Sequence, residues 1–330
     1  MRRISYWVFT MLINVMCIWF LPGCREVSRV RKLKLAHTLP TNHPVHGAMQ
    51  FMADRCEELS DGRLHIQIYH SEQLGSEQQC VELLQIGSLA ITKVSAAVME
   101  SFTDDYKVLG LPYIFRSKDH AFNVLDGDIG KDLLLSTQNK YIRGLCFYDA
   151  GSRSFYTIDK PILKPEDLTG MKIRVMKSKT AMDMVKALGG SPTPISFGEL
   201  YTALQSGVVD GAENNPPSLY TSHHYEVCKH YSLDEHSSVP DVLIMSQHIW
   251  KKLSNEEKKW IQQAADESVA VERRLWKESV KKSLEEVQKA GVKVYYPDKA
   301  AFADKVSDVY ESYKDHPTIY TYIKRIQATN

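Results

Sequence analysis

A chain of 330 residues is longer than a single hydrophobic core usually serves, which points to two lobes. Its 41 Lys and Arg balance 40 Asp and Glu to a formal net charge of +1, so it lacks the basic excess that tracks a phosphate backbone, and nucleic acid is excluded as a partner. The 43% hydrophobic and 25% charged residues are the proportions of an ordinary globular chain.

The start of the chain departs from that pattern. Arg2 and Arg3 precede an apolar run over residues 6–21 that ends at Leu21-Pro22-Gly23-Cys24, the layout of an export signal. The run is short for a membrane span, so cleavage is expected rather than anchoring. Leu-x-Gly-Cys resembles a bacterial lipoprotein signal, which would make residues 1–24 the signal and Cys24 the lipidated first residue of a periplasmic chain. Beyond it, Cys56, Cys80, Cys146 and Cys228 have no metal-ligand spacing and sit among apolar or helical neighbours, as buried free thiols do.

From residue 32 the periodicity alternates between strand and helix. Residues 32–36 read as a strand, followed by His37 and Thr38, and a helical pattern runs to Leu59, stopped by Ser60-Asp61-Gly62. Residues 64–69 are a second strand, Ser76 caps a helix to Ile86, and residues 89–94 are a third, buried strand. This succession predicts an α/β lobe with a largely parallel sheet. A helix over 119–134 and a strand over 141–148 lead to a second set: a strand over 171–175, a helix over 180–188 ended by Gly189-Gly190, a helix over 197–205 and a strand over 208–212. After Pro240, residues 242–246 return as a strand, and Ser254-Asn255-Glu256-Glu257 is a capping box before a helical pattern that reaches Ala290. A strand over 292–296 and a final helix close the chain. The predicted division puts 25–150 and 239–279 in lobe I and 151–238 and 280–330 in lobe II, with hinge crossings near Ala150 and near Ser237 to Pro240 and a cleft between the lobes.

The residues with chemistry to offer gather in the second set. Arg153 and Arg174 carry planar donor forks that match a carboxylate, and Asn214 and Asn215 can both donate to and accept from hydroxyls. Arg174 lies between Ile173 and Val175, which favours burial with an anion over idle exposure. Asn215 equally fits a turn before Pro216-Pro217, and Glu77 equally fits an early-helix acid favoured by the macrodipole.

The segments Leu74-Gly75-Ser76-Glu77, Lys172-Ile173-Arg174-Val175 within the run from Asp167, Gly190-Ser191-Pro192-Thr193-Pro194 and Val209-Asp210-Gly211-Ala212-Glu213-Asn214 resemble, in order, those of TRAP-transporter substrate-binding proteins. Tyr148-Asp149-Ala150-Gly151-Ser152-Arg153-Ser154 and Asp234-Glu235-His236 resemble the subgroup that binds uronic acids such as glucuronate or galacturonate. The resemblance implies a two-lobed, periplasmic-binding-protein-like α/β fold with a long helix spanning both lobes, no cofactor, and a TRAP membrane permease as partner. It implies that Arg174 clamps the ligand carboxylate, with Arg153 and Asn214 beside it, Phe197 as an aromatic wall, Glu77 as a nearby acid, and Lys93 to Ser95 contributing from the first lobe. His37 and His236 are carried as hydroxyl partners. Ala90 replaces the Asp common after Gly-Ser-Leu in the family.

Two other readings compete. An exported sugar-acid lyase or isomerase would need a positioned nucleophile, an acid/base pair or metal ligands, and no Gly-x-Ser-x-Gly, metal-binding His pair or phosphate loop is present. A ligand-sensing partner of a membrane receptor would use the same cleft.

Overall fold

The computed structural model describes residues 30–330, so the export segment and Cys24 lie outside the described residues. The chain forms eleven strands among these residues, β1 (Arg31–Ala36), β2 (Leu64–Tyr69), β3 (Ile91–Ser95), β4 (Ile142–Tyr148), β5 (Arg153–Thr157), β6 (Lys172–Val175), β7 (Ser191–Pro194), β8 (Gly211–Asn214), β9 (His230–Ser237), β10 (Asp241–Ser246) and β11 (Lys293–Tyr295). They divide into two sheets, ordered β2-β1-β3-β10-β4 and β11-β9-β5-β8-β6-β7. Helices flank both, giving the two-lobed α/β architecture.

The first sheet is largely parallel, as expected, and in each sheet one strand runs against the rest, β10 in the first and β5 in the second. β1 runs parallel to β2 and β3, but β10 is antiparallel to both β3 and β4. The cause is the route of the chain: β10 enters the first sheet straight from β9 of the second lobe across residues 238–240, without the crossover helix that a parallel neighbour needs. The other crossing, residues 149–152, joins β4 to β5. Both fall where the hinge was placed. Gly151 sits there at φ +56°, and a Cβ at this position would come within 3.0 Å of Trp276 Nε1, so the crossing passes tightly over the long helix Asn255–Lys289.

That helix starts at the capping box, in which Ser254 Oγ accepts from the Glu257 N–H and the Glu257 carboxylate accepts from the Ser254 N–H. It belongs to both lobes. Ile261, Ala264, Ala265 and Trp276 pack with Val45, Met49 and Met52 of the helix Pro44–Leu59 in the first-lobe core, while Val287 joins Leu204, Leu219 and Tyr231 in the second. Side chains on its buried face hold the first crossing directly, because Tyr148 Oη lies 2.7 Å from Ser268 Oγ and the Asp149 N–H donates to Glu272 at 3.0 Å.

Three differences from the sequence reading matter. β5 and β9 had no strand signature, because they carry polar residues on both faces and every residue of β5 is buried, so no period-2 alternation marks them. The strand expected over 208–212 forms later, at Gly211–Asn214, since Ser206 to Asp210 make the turn that leaves the preceding helix. The closing helix Pro317–Ala328, expected with lobe II, instead lays Ile319, Ile323 and Ile326 against first-lobe helices, where His120 Nε2 lies 2.9 Å from the Ile326 carbonyl and Arg325 pairs with Asp132. Cys56, Cys80, Cys146 and Cys228 are buried and free.

Candidate functional site

A cleft between the two sheets, with an empty volume of about 740 Å³ including its solvent-open part, lies in the size range of small-molecule sites. Both lobes and the long helix line it.

Arg174 forms the second-lobe floor. β6 alternates Ile173 and Val175 into the core, which turns Arg174 to the other face, yet it is only 2% exposed. Its Nε donates to the Ile195 carbonyl at 2.9 Å, and the Phe197 ring centroid is 6.0 Å from Cζ. Nη1 is buried with no hydrogen bond, and Arg174 has no salt-bridge partner among the described residues. Burial pulls its pKa down from the ordinary arginine value. A buried guanidinium without a counter-charge is a costly arrangement that an anionic ligand would complete.

Arg153 differs in kind. The β5–β8 register sets Ser154 opposite Asn214 and Phe155 opposite Glu213, so Arg153 meets both side chains. Its Nη2 donates to the Glu213 carbonyl at 2.8 Å and to Glu213 Oε1 at 3.0 Å, Nε bonds Glu213 Oε2, and Nη1 donates to Asn214 Oδ1 at 2.8 Å. A guanidinium has five N–H groups, which leaves one for a ligand. Asn214 Oδ1 also accepts from the Asn215 N–H, so its free contribution to the cleft is the Nδ2 donor.

Behind Glu213 stands His236, fully buried, 3.4 Å from Glu213 Oε2 and 2.7 Å from Asp234 Oδ2. Burial alone would lower its pKa, but the two carboxylates, Asp234 foremost, raise it to about 9. Burial would likewise raise Glu213, and the Arg153 and His236 charges instead hold it at about 2. His236 therefore supports Arg153 through Glu213 and does not line the cleft.

The first lobe supplies a second charged group. Lys93 on β3 is 2% exposed, and its Nζ lies 3.0 Å from Glu77 Oε1 and 3.1 Å from Asp241 Oδ2. The Ser95 N–H donates to Glu77 Oε2 at 3.2 Å, while the Ser95 hydroxyl oxygen accepts from the Ala97 N–H and keeps its own O–H donor. Asp241 is brought here because β10 registers it opposite Ser95.

Two expected ligand contacts have polar atoms engaged within the protein. His37 accepts from the Leu39 N–H, lies 3.0 Å from His46, and is outside the cleft lining; burial, with Lys93 and the neighbouring histidines, drives its pKa to about 2. Asn215 borders the cleft, but its side chain donates to the Ala150 carbonyl at 3.0 Å and accepts from the Ser218 N–H at 2.9 Å, tying the hinge to the helix Pro216–Thr221. Sequence reasoning missed Asp241, Trp276 and His43, all in the lining. Trp276 was visible only as an apolar position on the long helix, and Asp241 only as a polar residue after Pro240.

At the cleft rim Glu72, after β2, crosses to the other lobe, where its carboxylate accepts the Gly198 N–H at 2.8 Å. The lobes are therefore in contact across the mouth. Among the described residues no helix is long and apolar enough to cross a membrane.

Residues 35–316 match the bacterial extracellular solute-binding proteins of family 7. The protein YiiZ of Salmonella typhimurium is 38% identical over 298 residues, covering 90% of this chain and 91% of that one. A TRAP periplasmic solute-binding protein of Xanthobacter autotrophicus, solved with bound β-D-galacturonate, has 39% identity and a TM-score of 0.88, covering 90% of this chain and 100% of that one. One of Anaerococcus prevotii, solved with bound D-glucuronate, also has 39% identity and a TM-score of 0.88, covering 91% and 98%.

Proposed function

Because the chain belongs to the bacterial extracellular solute-binding proteins of family 7, we propose that its cleft captures a uronate, galacturonate or glucuronate, and hands it to a TRAP membrane permease. The observation that carries this reading is Arg174, buried over the cleft with Nη1 unpartnered and no counter-charge among the described residues. The ligand carboxylate completes its hydrogen bonds, Phe197 flanks the pair, and the Asn214 amide and the remaining Arg153 N–H engage the carboxylate or an adjacent hydroxyl. Closure of the lobes then removes water from the pair and strengthens it. The uronate-bound relatives of Xanthobacter autotrophicus and Anaerococcus prevotii support the ligand class.

Thermal unfolding of the purified protein tests the reading. Uronates should raise the melting temperature with the logarithm of ligand concentration over Kd, with ligand at 1,000 times Kd adding about 4 kcal/mol of stability. Recovery of the uronate unchanged after incubation separates binding from lyase or isomerase action. A shift with C4-dicarboxylates and none with uronates would reject the ligand class.

The permease partnership and a periplasmic site of action follow the family. Lipid attachment at Cys24 would hold the protein at the membrane surface, where its partner lies. In cells fed labelled palmitate the wild-type protein should carry label and Cys24→Ser should not; an unlabelled wild type rejects acylation.

A further inference from the structure

We propose that the first-lobe end of the cleft is an acidic selector, in which Asp241 and Glu77, bridged by Lys93, accept hydrogen bonds from sugar hydroxyls and turn away any ligand carrying a second carboxylate. The proposal rests on the uronate reading and names the charge class that the same cleft admits.

Charge counting comes first. Glu77 and Asp241 share one ammonium, so the triad as three ionised groups carries one net negative charge, whereas Arg174 at the other end carries an uncompensated positive one. Neighbouring groups leave this polarity standing. Arg153 is neutralised by Glu213, and burial, foremost, with the Lys93 charge, depresses the His37 and His43 pKa values and keeps both rings neutral. The cleft thus has a positive end on the second lobe and a negative end on the first, and a ligand lies between them with its own charge at one end only.

Next come the available atoms. Each Glu77 oxygen holds one partner, Lys93 Nζ or the Ser95 N–H, which fixes the carboxylate against rotation and leaves each oxygen a lone pair for a hydroxyl. Asp241 is held by Lys93 through Oδ2, and it lines the cleft at 7% exposure. A carboxylate oxygen in that position accepts from a hydroxyl in a charge-assisted hydrogen bond and has nothing to offer another carboxylate. Burial raises the Asp241 pKa although Lys93 opposes the shift, so the site already resists the negative charge it has. A dicarboxylate would bring like charge into a desolvated pocket, which is the repulsive element that selectivity requires.

The matched probes are galactonate and galactarate, open-chain acids of the same length and hydroxyl configuration that differ in whether the far carbon is an alcohol or a carboxylate. Calorimetry on the wild-type protein near neutral pH should show galactonate bound roughly 100-fold more tightly. In Asp241→Asn and in Glu77→Gln that ratio should shrink by about tenfold or more, because the repulsion is weakened while Arg174 still clamps the shared carboxylate. The wild-type ratio stands as a test if either variant folds poorly. Equal affinities in the wild type, or a ratio unchanged in both variants, would overturn the selector and leave the Arg174 clamp intact. Failure of the wild type to bind galacturonate, glucuronate or galactonate would instead remove the uronate reading and the selector with it.

Discussion

Arg174→Ala should lose uronate binding by about 2 to 5 kcal/mol, which is roughly 30-fold to several thousand-fold in Kd, because the ligand carboxylate is then desolvated without a partner. The same substitution should leave the ligand-free protein no less stable, or stabilise it, since it removes a buried cation that has one hydrogen bond through Nε and an unsatisfied Nη1. That opposition of signs separates a binding role from a packing role, for a structural arginine would lose stability and affinity together. Arg174→Lys should also bind poorly, because an ammonium cannot reproduce the fork that reaches both Ile195 and the ligand. Calorimetry and thermal unfolding on both variants decide the matter, and near-normal affinity in Arg174→Ala would reject the clamp.

Glu213→Ala should be the most destabilising single change near the site. It strips Arg153 of its buried counter-charge and removes one of the two carboxylates around His236, and breaking a buried pair in this way costs about 3 to 5 kcal/mol. Affinity should fall as well, since Arg153 and Asn214 lose the alignment that presents them to the cleft. The network also sets a pH signature. His236 is raised from an ordinary value of 6.5 to about 9, so the stability it contributes is fully present below pH 6.5 and is lost as pH rises through about 9. Glu213 is lowered from 4.5 to about 2, so its contribution is present above pH 4.5 and is lost as pH falls through about 2. The wild-type melting temperature should therefore decline on the alkaline side of neutrality, and His236→Gln should flatten that decline. A Glu213→Ala protein melting within a degree of wild type would show that the network holds nothing together.

Reading the sequence reached the elements and the two crossings well, because their signals are local. The Ser254 capping box, the stop at Gly189-Gly190 and the buried Ile173-Arg174-Val175 strand each declare themselves within a few residues. What could not be read was the pairing of charges across the fold. Lys93 and Glu77 looked like two separate ligand contacts, and only the β3–β10 register, which brings in Asp241, makes them one group. His236 looked like a hydroxyl partner because the chain gives no sign that Glu213 stands between it and the cleft. His37 falls outside the lining, and Asn215, which borders it, takes the turn role that the sequence equally allowed, because their hydrogen bonds are made to backbone and to neighbouring side chains.

The four buried thiols give the experimenter something useful. Burial pushes Cys56 and Cys228 up to about 12 and Cys80 up to about 11, and Cys146 is shifted upward too, so almost no thiolate is present near neutral pH and none of them competes for maleimide. In a protein that begins after Cys24, a fluorophore pair can therefore be attached at Gln73→Cys and Glu199→Cys, two exposed positions beside the Glu72–Gly198 contact, with the four buried cysteines left in place. The distance between the dyes then reports the mouth of the cleft opening and closing, one molecule at a time.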